Sequence, residues 1–511
     1  MLTFSAQTRA ASLARMAEDA FDVLVIGGGI TGAGIALDAA ARGLSVALVE
    51  KDDFAAGTSG RSSRLVHGGL RYLEHGELGL VRESLRERGT LYRLAPHLVR
   101  PVPMYMLADD LRHRATYRAG LTVYEALAAG RNIGYHQAAS ADQVAAAIPG
   151  LGGRTRGVRY FECQTDDARL TIEVARTAHA YGAQLANHAR VTALLGAGRV
   201  TGAAVTDELT GERFEVRATV VVNATGVWAA EVAALAGRAA GAGRAGTEVS
   251  LSPSKGVHLV FAPGAVRTTA AMVAPAADGR FVFIVPWEDR VYAGTTDTPY
   301  DGDLSQPEVT DADRDYILSA VTPLFPGVTG RDVVASWAGL RPLLGGGAKT
   351  ADLSRKHKIF DEPPGLFTIT GGKLTTYRAM AQDLVDRVAA DLGGAGASGL
   401  GPSRTSDIPL GLHGSAVTAV ELARDEVTRL GLPSRVAARL VQRYGDDWRE
   451  AVRLIRADPS LGEPAVAGLR VLGVELALAR SREMALTEED VLVRRTRLTT
   501  RDASVRLTPS A

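Results

Sequence analysis

Hydrophobic and polar positions follow different periods along this chain. Near the amino terminus a short apolar run, FDVLVIG, leads into a glycine turn, a helical stretch through IALDAAARG, and a second apolar run, SVALVE, ending at Glu50. Strand, turn, helix and strand in this order predict half of a doubly wound α/β domain. Further on, LTIEVARTAHAYG has helical spacing behind Thr165, Asp166 and Asp167, whose side chains suit a helix start, and ATVVVNATG reads as another strand. Between about 250 and 345 the pattern changes to strand-like pieces, VHLVFAP and GRFVFIVPWEDRVYAGTT, which suit an antiparallel sheet. GLFTITGGKLTTYRAMAQDLVDRVAADLG returns to strand, turn and helix; GGAGASGLGPS reads as a linker, and the remainder is charged and mostly helical.

At 511 residues the chain exceeds one hydrophobic core. The expected division is an N-terminal arm (1–20), a discontinuous nucleotide-binding domain (21–80, 160–245 and 335–395), a substrate domain (81–159 and 246–334), a linker (396–404) and a helical C-terminal domain (405–511). Lys and Arg number 58 against 57 for Asp and Glu, so no broad field attracts nucleic acid or an acidic membrane surface, and any anion must be caught locally. The single cysteine, Cys163, rules out an internal disulfide and fits a reducing compartment. No Cys cluster supplies a thiolate metal site, and no metal is expected. The first twenty residues lack the apolar core of a secretory signal, and no run approaches the roughly 20 apolar residues of a spanning helix. Any contact with a membrane is therefore expected from the side.

VIGGGITGAG places Gly27, Gly29 and Gly32 between a strand and a helix, with Glu50 closing the next strand. The glycines permit a tight turn and close approach of a pyrophosphate, the helix N-terminus favours its charge, and the Glu50 carboxylate can accept both hydroxyls of an adenosine ribose. Glu50 disfavours a ribose 2′-phosphate, which leaves NAD or FAD ahead of NADP. Gly226 ends the NATG segment, and Gly371 and Gly372 precede a helix expected to begin near Lys373. A helix end plus a lysine suits the negative edge of a reduced flavin, while the same glycine pair also fits an ordinary turn. In RLVHGGLRYLE (64–74), Gly68 and Gly69 mark a backbone that turns sharply or lies close against something else. Ser59, Ser62 and Ser63, just upstream, are candidates for cofactor phosphate or ribityl oxygens.

Taken together these segments resemble the FAD-dependent glycerol-3-phosphate dehydrogenases. IGGGITGAGIALDAAARG (26–43) and GGKLTTYRAMA (371–381) are similar to that family's two signatures. SSRLVHGGLRYLE, TDDARL (165–170), VNATGVWA, GTTDT (294–298), GLRPLL (339–344) and RRTRL (494–498) resemble family blocks in the same order, from about residue 20 to about 500. The resemblance implies a glutathione-reductase-like FAD-binding domain, an antiparallel-sheet substrate domain and a helical C-terminal domain. It implies FAD as cofactor, with Gly371, Gly372, Lys373, Leu374 and Thr375 beside it and Gly68–Gly69 passing beneath the flavin. The implied reaction oxidises sn-glycerol 3-phosphate to dihydroxyacetone phosphate by hydride transfer from C2 to flavin N5, with electrons passed to membrane quinone. A peripheral seat on the cytoplasmic face of the cell membrane belongs to the same reading, which is compatible with a homodimer.

A phosphate dianion needs fixed cationic donors, and arginine forks meet its oxygens in pairs. The resemblance assigns substrate contact to Arg71, Arg341 and Arg355; each is otherwise an ordinary surface ion pair, and Arg355 opens a basic run, Arg355-Lys356-His357-Lys358. Lys373 would serve substrate, flavin or both. His258, in SKGVHLVF, matches a family histidine near the substrate, and its neutral imidazole could accept the proton of the C2 hydroxyl. A lone strand histidine is also commonly structural. Tyr72 either donates a hydrogen bond to substrate or packs, and His67 is read as structural. The rival readings are the same chemistry with oxygen as acceptor, an amine oxidase, and a nucleotide-binding regulatory module without turnover.

Overall fold

The computed structural model describes residues 3–74, 76–239, 249–345, 356–361, 363–393 and 400–506. The strand Ala20–Ile26, buried almost throughout, pairs in parallel with Arg213–Asn223 on one side and Val46–Val49 on the other. Leu366–Thr370 and Gln184–Ala186 extend this parallel sheet outward. Strands covered on both faces read as apolar runs rich in Val and Leu, which is why Ala20–Ile26, Val46–Val49 and the end of Arg213–Asn223 were visible in the sequence, whereas the three-residue Gln184–Ala186 was not. The helices Ile30–Ala41, Asp167–Ala180 and Tyr377–Gly393 cover one face, around Ile35, Leu37, Leu170, Val174 and Leu384. The antiparallel pair Ala189–Leu195 and Gly202–Asp207 covers the other with the helix Ala6–Glu18. The expected N-terminal arm is thus an ordered helix. It buries Met16, and Arg9 pairs with Asp207 at 2.7 Å in a buried contact.

The second sheet is ten-stranded and mixed rather than purely antiparallel, because Ala271–Pro275 runs parallel to Arg100–Leu107. At its centre Ser254–Phe261, buried at every position, lies between Arg290–Gly294 and Val333–Arg341. Three expected boundaries move. Gly157–Gln164 and Val333–Arg341 both pair in this second sheet, so the cuts at 160 and 335 fall inside its strands, and the cut at 80 falls inside the helix Leu78–Leu94. An apolar strand does not announce which of two sheets will accept it.

The helices Ala416–Arg429, Arg435–Tyr444, Trp448–Ala457 and Gly473–Arg482 close around Leu440, Val441, Trp448, Ile455 and Leu478. Arginines fasten this domain to the rest: buried Arg494 and Arg495 bind Asp53 at 2.6 and 2.8 Å, buried Arg497 binds Asp166 at 3.0 Å, and the half-buried Arg439 binds Glu288 at 2.7 Å. Of the expected linker, 396–399 lie outside the described residues, while the Ser403 hydroxyl donates to Asp38. Among the described residues no helix is long and apolar enough to cross a membrane.

Candidate active site

A cleft of about 340 Å³ opens where the parallel strands end, lined by Gly27, Gly29, Glu50, Thr225, Gly371 and Lys373 among others. Its floor is set by close packing. A Cβ on Gly32 would stand 1.9 Å from the Gly27 carbonyl oxygen, and one on Gly27, at φ +111°, would stand 2.7 Å from the Ala224 oxygen. Gly29 caps the helix Ile30–Ala41, and the Ile30 N–H donates to the Ser59 hydroxyl at 2.9 Å. Free helix N–H groups and the dipole make this end an anion site. Glu50 accepts from the Gly28 N–H at 2.6 Å and the Asp52 N–H at 2.9 Å; burial nevertheless pushes its carboxyl above the ordinary value. The cradle fits a dinucleotide as the spacing predicted.

On the opposite wall Gly371 and Gly372 both have positive φ, and a Cβ on Gly372 would strike the Met380 sulfur at 2.3 Å. The long helix does not begin at Lys373. A short 3-10 turn, Leu374–Thr376, intervenes, and Lys373 caps it. Lys373 Nζ donates to the Ser84 hydroxyl at 3.2 Å and sits 3.8 Å over the Tyr72 ring. The Thr375 hydroxyl bridges to the backbone of His67, accepting from its N–H at 3.2 Å. Gly68 and Gly69 are needed by packing: added Cβ atoms would meet the Tyr124 hydroxyl and the Tyr72 ring, each at 2.3 Å. Leu374 and Gly226 line the cleft.

The three serines diverge. Ser59 faces the cleft, Ser62 places its N–H and hydroxyl on Asp167, both at 2.8 Å, and the Ser63 hydroxyl lies 2.8 Å from His258 Nε2. His258 stands on the central strand of the second sheet. Across from Ser254, Gly256 and His258 lie Arg341, Gly339 and Trp337 of the neighbouring strand. Side chains two residues apart share a face, so a glycine pair separates His258 from Arg341 on one surface. Arg341 folds over that gap: a Cβ on Gly256 would be 2.6 Å from its Nη2. Its guanidinium donates to the Thr295 hydroxyl at 3.1 Å and the Thr296 carbonyl at 3.2 Å, and lies 3.5 Å from Asp297. The next residue, Pro342, lines the nucleotide cleft, so the two sites meet there.

His258 is 2% exposed and stacks on Trp337 with centroids 4.7 Å apart. Burial first, then the positive charges of Arg341 and Arg64, hold its pKa well below the ordinary 6.5, which keeps the ring neutral at pH 7. Arg71 stands on the short helix Arg71–Glu74, half-buried. Arg355 lies outside the described residues. Trp337, Ser254 and Thr295 were not singled out in the sequence. Their signal was there in register: S-x-G-x-H opposite W-x-G-x-R puts matching residues on one sheet face.

A dinucleotide cradle facing a sheet that carries a buried neutral histidine and a guanidinium defines a flavin-dependent oxidoreductase. Residues 22–387 match the family described as FAD dependent oxidoreductase, and residues 403–509 match one described as the C-terminal domain of alpha-glycerophosphate oxidase. The glycerol-3-phosphate dehydrogenase 2 of Mycobacterium tuberculosis is 41% identical over 498 residues, covering 96% of this chain and 83% of that protein. The aerobic glycerol-3-phosphate dehydrogenase of Bacillus subtilis is 38% identical over 511 residues, covering 96% and 90%. The crystal structure of the Bacillus halodurans glycerol-3-phosphate dehydrogenase complexed with FAD matches with a TM-score of 0.77 at 32% identity, covering 98% of this chain and 90% of that one. The chain belongs to the FAD-dependent glycerol-3-phosphate dehydrogenase family, and its cofactor is FAD.

Proposed function

We propose that the protein oxidises sn-glycerol 3-phosphate at C2 to dihydroxyacetone phosphate, hydride leaving for flavin N5, and delivers the electrons to membrane quinone from a peripheral position on the cytoplasmic face. The observation that carries this reading is the placing of Arg341 and His258 on one sheet face, a glycine pair apart, beside the FAD cleft. When bound, FAD supplies the two-electron acceptor. The Arg341 fork takes phosphate oxygens, with Arg71 and Arg355 as further donors. Lys373, steadied by Ser84 and the Tyr72 ring, adds a cation at the cleft wall. The C2 hydroxyl proton passes to the Ser63 hydroxyl, whose own proton moves to His258 Nε2, because the imidazole itself is enclosed. The absent side chain of Gly256 lets the Arg341 guanidinium lie close over the strand, beside the Thr295 hydroxyl.

Anaerobic addition of glycerol 3-phosphate should bleach the flavin absorbance, while glycerol and lactate should not. A flavin left oxidised by glycerol 3-phosphate would end this reading. Comparing peroxide yield with quinone reduction then separates quinone from oxygen as the acceptor, a distinction raised by the oxidase named in the C-terminal match.

A further inference from the structure

Arg64 is fully buried, and among the described residues none of its three guanidinium nitrogens has a hydrogen-bond partner. Its backbone takes a positive φ of 56°, unusual for a residue with a Cβ. The cation is enclosed by rings instead: its central carbon lies 3.6 Å from the Trp287 ring, 4.4 Å from Trp337 and 5.9 Å from Tyr292. The same rings grip the segment that carries it. Trp337 Nε1 donates to the Ser62 carbonyl at 3.2 Å, and the Tyr292 hydroxyl donates to the Ser63 carbonyl at 2.7 Å. His258 closes the group, stacked on Trp337 and held to the Ser63 hydroxyl.

A methionine or leucine would fill an aromatic box without the cost of stripping water from a charge. The nearby carboxylates do not compensate it by contact, since Asp167 is engaged by Ser62 and Arg497, and Asp166 by Arg497 and Arg443. We infer that Arg64 is a positioning residue for His258: locked in the box, it fixes the Ser63 hydroxyl on the imidazole and sets a permanent positive charge beside that ring. This rests on the proposed role of His258 as base. The charged groups acting on His258 are Arg341, from the neighbouring strand, and Arg64; those acting on Arg64 are Arg497, Asp167 and Asp166, with the Tyr292 hydroxyl also facing it. Both arginines oppose a second proton on the ring, so the base stays ready at acidic pH.

The test is the pH profile of anaerobic flavin reduction at saturating glycerol 3-phosphate, which keeps the titration of the substrate's own phosphate, near pH 6, out of the limiting rate. In the wild-type holoenzyme the acid limb should lie below pH 6.5, the ordinary histidine value. Arg64→Met should move that limb upward by about half a pH unit or more, as expected for losing a charge several ångströms away. Arg64→Lys should leave it near the wild-type position. An unmoved limb in R64M, or equal shifts in R64M and R64K, would overturn the inference. Should R64M fail to retain FAD, Arg64→Gln takes its place, with the same upward shift expected and an unmoved limb again overturning the inference. His258→Asn separates the two readings: normal reduction in H258N removes the base and Arg64's role with it, whereas a dead H258N beside an unmoved R64M sinks Arg64 alone.

Discussion

The nucleotide cradle and the proposed substrate pocket both have to hold phosphate, and they are built in opposite ways. The cradle is contiguous chain: a turn and a helix end offering backbone N–H groups, with Glu50 one strand later. The pocket gathers residues from strands far apart in sequence, and its main donor is a side chain, Arg341, folded over a glycine. A backbone site tolerates no added volume but has little charge to lose. A side-chain site yields to loss of charge, yet its scaffold survives the substitution.

The largest expected effect tests the first half of that contrast. Gly32→Val would thrust a Cβ to within 1.9 Å of the Gly27 oxygen, and that neighbour is backbone, which cannot swing aside. The purified variant should carry almost no flavin absorbance. Normal FAD content in G32V would mean the cradle is looser than its packing indicates.

Arg341→Ala tests the second half. A charged hydrogen bond is worth about 1.5 to 3 kcal/mol, so the glycerol 3-phosphate concentration giving half-maximal reduction should rise by more than about tenfold. FAD content should stay unchanged. Loss of FAD in R341A would show the two sites to be one structural unit, and an unchanged half-saturation would remove Arg341 from the substrate. Arg341→Lys should recover only part of the affinity, because an ammonium cannot match two phosphate oxygens with a planar fork.

The same contrast decides what could be read from the sequence. Gly27, Gly29, Gly32 and Glu50 were legible because the cradle needs its residues within one strand–helix–strand unit. His258 and Arg341 were picked out by family resemblance, while the reason they work together, the pairing of Gly256 with Gly339, exists only in register. Arg64 was visible as a residue, but its box is assembled from Trp287, Tyr292 and Trp337, more than 200 positions away. Nor could the N-terminal helix be foreseen, since Arg9 finds its partner at Asp207. RRTRL stood out as a block without a task. Folded, Arg494 and Arg495 lie on Asp53, and Arg497 reaches the Gly60 carbonyl at 2.9 Å, so the C-terminal domain braces the segment leading to Ser63.

The smallest expected effect sits at the carboxylate that closes the cradle's contiguous unit, Glu50. Burial raises the Glu50 carboxyl above the ordinary carboxylate value, whereas hydroxyl groups of a bound ribose would donate to the ionised form and draw it back down. A group whose pKa falls on ligand binding must release a proton when the ligand enters below its free-state value, so FAD affinity should weaken as the pH drops toward and through that raised value. Glu50→Gln keeps the shape and one acceptor oxygen but leaves one of the two backbone N–H groups of Gly28 and Asp52 without its partner. FAD titration of the apoprotein should show E50Q binding about tenfold more weakly at pH 7, as the charged hydrogen bonds to the ribose hydroxyls become neutral ones. More telling is the slope, because the variant has lost the raised carboxyl: its FAD affinity should be flatter between pH 7 and mildly acidic conditions, where the wild type declines. Parallel slopes in the two proteins would place the proton elsewhere and make the cradle a purely backbone device.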